Sequence, residues 1–371
     1  MKFVIRKENL LKGLETAGKA IGKSQLSILD GIKIDVMDDS IKMTGSNGNL
    51  TIVATLKEIE KIEKTGTIVV DSKLIRDIVR RLPSENISIE VNSEQGVMNI
   101  TCEKSSFSIL CTSSDSYPDL PETKEISSIN IPQYILRNMI SGVAFAASQV
   151  ETRPILQGIL IESIDGYLNT VALDGYRLAK RTESIGTSKN SSVVVDGVSF
   201  SEISRMLQNS EEVCKLAFSK NHAVIELQDT LIVSRLLEGE YIKYASLLPK
   251  DCSVKIAIDR EAFKSCIERA TLMAERMVPL VKINIKGDEI SISSRSQLGK
   301  VNEVLEASNQ KGANIQLSIG FNAKYLLDSL KAIEDEDVIL ELTSEVSPCM
   351  IKSFNYPDKV NHLVLPVRLV K

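Results

Sequence analysis

Asp174 and Arg177 stand together in the segment Thr170-Val171-Ala172-Leu173-Asp174-Gly175-Tyr176-Arg177-Leu178-Ala179-Lys180-Arg181, the first place to look for acid–base chemistry. A general acid or base needs a positioned partner. One carboxylate without a second acid or a base reads as structural, and Asp174-Gly175 reads as a tight turn after the strand Leu168–Ala172. His222 and His362 are the only histidines, too few for a histidine-rich metal site. Cys102, Cys111, Cys214, Cys252, Cys266 and Cys349 are scattered with no C-x-x-C pair. Such scatter suits reduced, semi-buried thiols rather than a disulfide framework or a zinc site. The sequence has no G-x-x-x-x-G-K-[ST], no G-x-G-x-x-G and no G-x-S-x-G. No cofactor and no catalytic constellation are expected.

The elements that carry these residues come from a repeat. Ser27-Ile28-Leu29-Asp30-Gly31-Ile32-Lys33-Ile34 recurs as Arg153-Pro154-Ile155-Leu156-Gln157-Gly158-Ile159-Leu160-Ile161, with Gly31 and Gly158 127 positions apart. At that offset Ile41 matches Leu168 and Asn47-Gly48 matches Asp174-Gly175; Val69-Val70-Asp71 then matches Val194-Val195-Asp196 at an offset of 125. A fainter third copy runs from Pro279-Leu280-Val281-Lys282-Ile283-Asn284-Ile285 through Glu289–Ser293 to Ile319-Gly320-Phe321-Asn322. Three domains are therefore expected at 1–124, 125–250 and 251–371, with linkers at Tyr117-Pro118-Asp119-Leu120-Pro121 and Leu247-Leu248-Pro249-Lys250.

Each copy shares one grammar. A strand opens it (Phe3–Arg6, Ser128–Ile131, Lys255–Ile258), and a helix follows (Lys7–Ile21, Gln133–Ser148, Arg260–Glu275) with apolar residues at helical spacing such as Leu10, Leu14 and Ala17. Alternating strands come next, then a second helix (Ser72–Leu82, Ser199–Leu207, Ala323–Ile333) and closing strands such as Ile87–Val91, Met98–Cys102 and Ser106–Cys111. The reading is α+β, with two helices per domain packed on antiparallel sheet.

Composition sets outer bounds. The 371 residues are 43% hydrophobic and 25% charged, an ordinary globular mix. No apolar run is long enough to span a membrane, and the start Met1-Lys2-Phe3-Val4-Ile5-Arg6-Lys7 is not a leader, so no membrane contact and a cytoplasmic location are expected. A formal net charge of −4 argues against tight whole-surface binding of nucleic acid but leaves room for a local basic face.

The apolar end, His362-Leu363-Val364-Leu365-Pro366-Val367-Arg368-Leu369, reads as a last strand. Pro366 removes a ladder donor, which places it at an edge or a strand end. Apolar residues exposed there beside a turn could form a peptide groove. At this tail and at the Thr170–Arg181 segment the chain resembles the bacterial DNA polymerase III beta subunits, the sliding clamps. The N-terminal Met1-Lys2-Phe3, the Tyr117–Pro121 linker and Gly320-Phe321-Asn322 resemble that family too, so the likeness covers the whole chain.

The resemblance implies a non-enzymatic processivity factor. It implies three clamp domains per chain and two chains paired head to tail in a ring, with strands outside and helices around double-stranded DNA. Implied partners are a second copy, the polymerase III catalytic subunit, the clamp loader and other proteins with clamp-binding motifs. Their peptides would dock in a pocket of Arg153, Leu156, Leu173, Gly175, Tyr176, Arg177, Leu178 and Leu247, with Leu363, Val364, Leu365, Pro366, Val367 and Arg368 from the tail. Leucine and valine walls would take apolar side chains while arginines orient the peptide. The chain departs from the family at Ile242, where proline is usual, at Ser246, where some members carry arginine, at Leu173 for a common threonine, and in the extra Val370-Lys371.

Basic residues recur on the helices. Lys73, Arg76 and Arg80 share a face, as do Lys12, Lys19 and Lys23; Arg269 with Arg276 and Lys324 with Lys331 repeat at seven, and Arg137 and Arg205 serve the second domain. By spacing alone these are solvated faces, since Glu8, Glu15, Asp77, Glu268 and Asp328 lie among them. The resemblance turns Lys23, Lys73, Arg76, Arg80, Arg137 and Arg205 toward DNA. It also pairs Ser106-Phe107-Ser108 of one chain with Leu272-Met273 of the other, although Phe107 could equally be core. Two other classes stay open on the residues alone: a three-domain scaffold that binds peptides but not DNA, and a hydrolase whose groups meet only in the fold.

Overall fold

The computed structural model describes residues 1–83, 85–121, 124–150, 152–186, 190–275, 277–297 and 299–368. Arg276, Leu369 and Val370-Lys371 therefore lie outside the described residues. The first repeat runs β1 (Lys2–Arg6), α1 (Lys7–Gly18), β2 (Gly31–Val36), β3 (Ile41–Ser46), β4 (Leu50–Leu56), β5 (Lys61–Lys64), β6 (Gly66–Asp71), α2 (Ser72–Arg81), β7 (Asn86–Asn92), β8 (Val97–Cys102) and β9 (Ser105–Thr112). The second runs β10 (Ser127–Pro132), α3 (Gln133–Ala144), β11 (Gly158–Ile164), β12 (Tyr167–Leu173), β13 (Arg177–Ser184), β14 (Ser191–Asp196), α4 (Gly197–Met206), β15 (Val213–Phe218), β16 (His222–Glu226) and β17 (Thr230–Arg235). The third runs β18 (Val254–Asp259), α5 (Arg260–Thr271), β19 (Leu280–Lys286), β20 (Glu289–Ser296), β21 (Gly299–Glu306), β22 (Ser308–Lys311), β23 (Gln316–Asn322), α6 (Ala323–Lys331), β24 (Asp337–Leu342), β25 (Cys349–Ser353) and β26 (Val360–Val364).

The chain forms two compact units, Met1–Gln133 with Ser210–Leu236, and Tyr134–Asn209 with Leu237–Lys371. The first unit holds a 13-stranded antiparallel sheet in the order β10-β15-β16-β17-β4-β3-β2-β6-β9-β8-β7-β1-β5. The second holds a nine-stranded sheet, β14-β11-β12-β13-β26-β25-β24-β18-β22, and a four-stranded sheet, β21-β20-β19-β23. The second repeat is thus shared: β10 and β15–β17 extend the first repeat through the β4–β17 ladder, and β11–β14 join the third through the β13–β26 ladder.

Repeated sequence becomes repeated local structure. Asp71, Asp196 and Asn322 end the matched strands β6, β14 and β23, and each side chain caps the helix that follows by accepting from Leu74 N, Ser199 N and Lys324 N. Gly31 and Gly158 begin β2 and β11 opposite those aspartates. A Cβ on either would lie 2.5 Å from Val69 Cγ1 or 2.4 Å from Val194 Cγ1, so the strands close only on glycine. The third copy exchanges the sizes: by register Leu280 takes the glycine position and Gly320 the valine position.

The helices bury one face each. Leu10, Leu14 and Ala17 of α1 join Ile75 and Val79 of α2 in the first core; Phe263, Ile267 and Ala270 of α5 join Leu326 and Leu330 of α6 in the third. The opening helix of each repeat stops three or four residues short of the periodicity reading, at Gly18, Ala144 and Thr271. Apolar residues do continue past those points, but the backbone tightens. Ala20 N and Ile21 N bond to Ala17 O and Gly18 O, Ala146 N to Val143 O, and Met273 N and Ala274 N to Ala270 O and Thr271 O. These are i to i−3 bonds that spend the helix's last carbonyls. Lys23 therefore lies beyond α1 and does not share a helical face with Lys12.

Candidate functional site

The turn between β12 and β13 is built by Asp174. Its Oδ1 accepts from Tyr176 N at 2.9 Å and Arg177 N at 3.0 Å, and Gly175 adopts φ +92°, where a side chain would be strained. Asp174 Oδ2 also accepts from Arg177 Nε at 3.0 Å. The carboxylate is consumed by turn and ion pair, in keeping with a structural role.

From this turn the chain alternates. Arg177 pairs with Val364 and Leu178 with Leu363 across the β13–β26 ladder, so the pairs point to opposite faces. Leu178 and Leu363 join Leu156, Leu160, Leu173, Val171, Val194, Tyr241 and Met350 in one apolar cluster, with Ile155, Leu237, Tyr244 and Leu248 packed at its margin. Leu247, Leu365 and Tyr176 stand exposed beside it, and Leu365 N donates to Tyr176 O at 2.9 Å. This is an apolar floor with exposed apolar walls and backbone groups at its rim.

Val364 and Arg177 face the other way. Val364 is fully buried in the core of the third repeat and does not line the pocket. Arg177, 8% exposed, donates from Nη1 to Asp328 Oδ2 at 2.6 Å and lies over the rings of Tyr325 at 4.5 Å and Phe145 at 5.4 Å. A guanidinium held by two carboxylates and two rings is committed, so Arg177 braces the turn from behind rather than orienting a ligand. Beside it His362 is fully buried, its Nε2 3.2 Å from Gly142 O and its ring edge-on to Phe145. Burial pulls its pKa down to about 4, aided by the nearby Arg181 charge and opposed by the Gly142 and Ser329 backbone.

β26 is flanked by β13 and β25, so the tail is no sheet edge. The strand ends at Val364, two residues before Pro366, and Val367 N then bonds to Gly320 O at 2.8 Å. Arg153 and Arg368 are exposed and Pro366 is half-buried. Ile242 and Ser246 sit on the loop before β18, exposed, with Ser246 Oγ donating to Lys243 O at 2.9 Å. Tyr244 Oη donates to Glu162 at 2.7 Å, and the Lys180 ammonium lies 5.9 Å from its ring centroid. Burial lowers the pKa of Lys180, which Glu162 partly offsets.

Sequence reasoning missed Tyr241, Met350, Tyr325 and Asp328. Only Tyr241 carried a readable signal, since Tyr117 holds the matching place in the first repeat. Matched positions also explain why this apolar cluster belongs to the second repeat. Where it has Leu173 and Leu178, the first has Ser46 and Thr51, hydrogen-bonded to each other at 2.8 Å, and the third has Arg295 and Lys300.

The basic residues divide. Lys73 and Arg80 are exposed on α2, but Arg80 bonds to Glu15 at 2.9 Å and sits 3.8 Å from Asp77. Arg76 is half-buried against Gly18. Arg137 and Arg205 line one polar cleft of about 390 Å³ with Asn138, Ser141, Ser204 and Glu334, and Arg205 pairs with Glu202. Lys324 and Lys331 are exposed on α6, and Arg269 pairs with Glu303 at 2.7 Å. Phe107 is not core: it stands 39% exposed on β9. Leu272 is 73% exposed, and Met273 Sδ lies 3.6 Å from a Cβ built on Gly299. Among the described residues no group of three or more His, Cys, Asp or Glu could hold a metal, and no helix is long and apolar enough to cross a membrane.

A triplicated α+β unit, with an apolar cluster on its second repeat and Tyr176, Leu247 and Leu365 exposed beside it, defines a repeat-built protein. Models of the DNA polymerase III beta subunit match in order: the N-terminal domain at residues 1–121, the central domain at 130–243 and the C-terminal domain at 245–368. The chain belongs to this family, the beta sliding clamps. It is 34% identical to the beta sliding clamp of Bacillus subtilis over 380 residues, covering 99% of this chain and all of that one. With the beta sliding clamp of Staphylococcus epidermidis it shares 32% over 378 residues, 99% of each. The crystal structure of the Bacillus subtilis DNA polymerase sliding clamp superposes over both full chains with a TM-score of 0.94 at 33% identity. The DNA polymerase III beta chain of Streptococcus pneumoniae gives 0.93 at 29%, over 99% of this chain and 100% of that one.

Proposed function

We propose that two copies of this sliding clamp close head to tail into a ring around double-stranded DNA, each built of domains 1–124, 125–250 and 251–371. The helices face the DNA. The pocket around Leu178 and Leu363 docks apolar peptide segments of the polymerase III catalytic subunit, the clamp loader and other clamp-binding proteins.

The observation that carries ring closure is a pair of free strand edges. Twice in the chain, the strand before the second half of one repeat pairs with the last strand of the next: β4 with β17, and β13 with β26. The matched strands left over are β21, at the edge of its sheet, and β9, which bonds to β6 only at Val69 and Val70. Carrying the same register onward sets Val301 opposite Phe107 of a second copy and Lys300 opposite Ser108. Exposed apolar residues cluster on both edges: Phe107 and Leu110 on β9, and Leu272 and Val304 on or near β21. Open edges with apolar flanks invite a partner strand.

A ring accounts for the modest charge. A protein held by phosphate contacts alone loses about 10³–10⁵ in affinity between low and moderate salt. Encirclement removes the need for tight contacts, so Lys73, Arg137 and Arg205 need only guide a base-blind slide, and the neighbouring carboxylates are tolerated. No catalysis is assigned. Ring opening then draws on another protein, and the site of action is the cytoplasm.

Ser108→Cys combined with Lys300→Cys tests the seam. In a hydrogen-bonded antiparallel pair the Cα atoms lie about 5.5 Å apart, within disulfide range. Oxidation is expected to give a covalent two-chain species, and the register-shifted Ser108→Cys with Val304→Cys is expected not to. Equal cross-linking by both, or by neither, contradicts the seam.

A further inference from the structure

In two of the three repeats a tyrosine closes the sheet face that points away from the helices. Tyr117 packs on Leu29 and Val69, with its hydroxyl donating to Thr44 O at 3.1 Å. Tyr241 packs on Leu156, Leu160, Val171 and Val194, with its hydroxyl 3.5 Å from Val171 O. Thr44 and Val171 are the same repeat position, so the two tyrosines do the same work. Carried into the third repeat by ladder register, the positions they cover are Val278, Lys282, Ser293 and Gly320. Three of these line an open cavity of about 690 Å³ together with Leu280, Arg295, Lys300 and Val367, and no tyrosine is among its lining residues. Val278 is 52% exposed there.

Relative to the second repeat, the lining has gone from apolar to basic. Lys282 replaces Leu160, Arg295 replaces Leu173 and Lys300 replaces Leu178, while Glu275 is the one acid in the lining. All three cations are exposed, and among the described residues none has an ion-pair partner. Val367 connects this groove to the tail that carries Leu363 and Leu365.

We propose that this face of the third repeat is a second docking groove, for an acidic peptide segment that places one aromatic residue where Tyr117 and Tyr241 sit in the other repeats. The ring of a tyrosine there would cover Val278 and Leu280 while its hydroxyl donates to the Ser293 carbonyl, and flanking carboxylates would meet Lys282, Arg295 and Lys300. The lining residues all belong to one chain, although Lys300 and Val301 also lie on the β21 edge assigned to the ring seam, so the groove would adjoin a second copy in the ring.

The test is fluorescence anisotropy of the full chain with a labelled Glu-Asp-Tyr-Asp-Glu peptide. Saturable binding is expected, weakening as salt rises from about 50 to 300 mM because exposed charges are screened. Lys282→Glu with Lys300→Glu should raise Kd at least tenfold. Ser293→Trp, which fills the groove and keeps the cations, should do the same, and so should alanine for tyrosine in the probe. The Leu272→Ala, Met273→Ala chain should bind as the parent does, because the lining residues all belong to one chain. No binding to the parent chain overturns the proposal, as does binding within twofold of it by the charge-reversed variant or by the alanine probe.

Discussion

Arg177 and Asp328 are joined at 2.6 Å across 151 residues of sequence, tying the turn that shapes the pocket to helix α6. The same guanidinium holds Asp174 at 3.0 Å. One side chain thus secures the turn, the last helix and the back of the β13–β26 ladder, while its neighbour Leu178 supplies pocket floor.

Removing this brace should cost stability before it costs recognition. Arg177→Ala leaves Asp174 and Asp328 without their cation, and breaking a buried pair this way costs about 3–5 kcal/mol. Arg177→Lys keeps the charge but loses the planar fork and the ring contacts, so it should recover only part of that. Denaturant midpoints of the three proteins check the order: parent, then lysine, then alanine.

The pocket leucines should affect both properties. Leu178 and Leu363 are buried in the apolar cluster, so Leu178→Ala and Leu363→Ala should each lower stability by about 2–5 kcal/mol and also weaken peptide binding by opening a hole in the pocket floor. Val364→Ala, one residue away but facing the core, should lower stability by about 1–3 kcal/mol with little effect on the peptide contacts. Thermal melts should then fall for all three variants, while titration calorimetry with an apolar clamp-binding peptide should show weakened binding for the two leucine variants alone.

His362 predicts a pH dependence. Its pKa of about 4 in the fold lies below the ordinary 6.5, so the neutral ring is the folded form. As pH falls through 6.5 the unfolded chain takes up a proton that the folded chain refuses until about pH 4. Stability is therefore lost on acidification across that window, by about 3 kcal/mol in all. The difference in urea midpoint between the parent and His362→Gln should narrow steadily from pH 7 to pH 4.5.

Leu272→Ala with Met273→Ala should give monomers by sedimentation velocity at micromolar concentration, because the pair sits beside the exposed edge of β21. An intact dimer at low concentration would remove these residues from the seam.

What the sequence disclosed follows how local each signal is. Asp71, Asp196 and Asn322 were legible as a repeat because a cap is set by its own next three residues. Leu178 and Leu363 were legible because motif and tail are contiguous. Asp328 and Tyr325 were not, since nothing near Arg177 in sequence announces partners on α6. The assignment of Val364 to the pocket erred by counting a run where strand alternation decides the face. The ends of α1, α3 and α5 were overrun because apolar periodicity continues into turns where the hydrogen bonds have already shortened.

The central claim is topological, and retention on DNA measures it directly. Labelled protein is loaded onto nicked circular DNA with a clamp loader and ATP, passed through a sizing column at moderate salt, and compared with the same complex after linearisation. The account predicts that the protein stays with the circle and runs off the linear form. Equal loss from both would contradict encirclement and leave a protein that binds peptides without holding DNA.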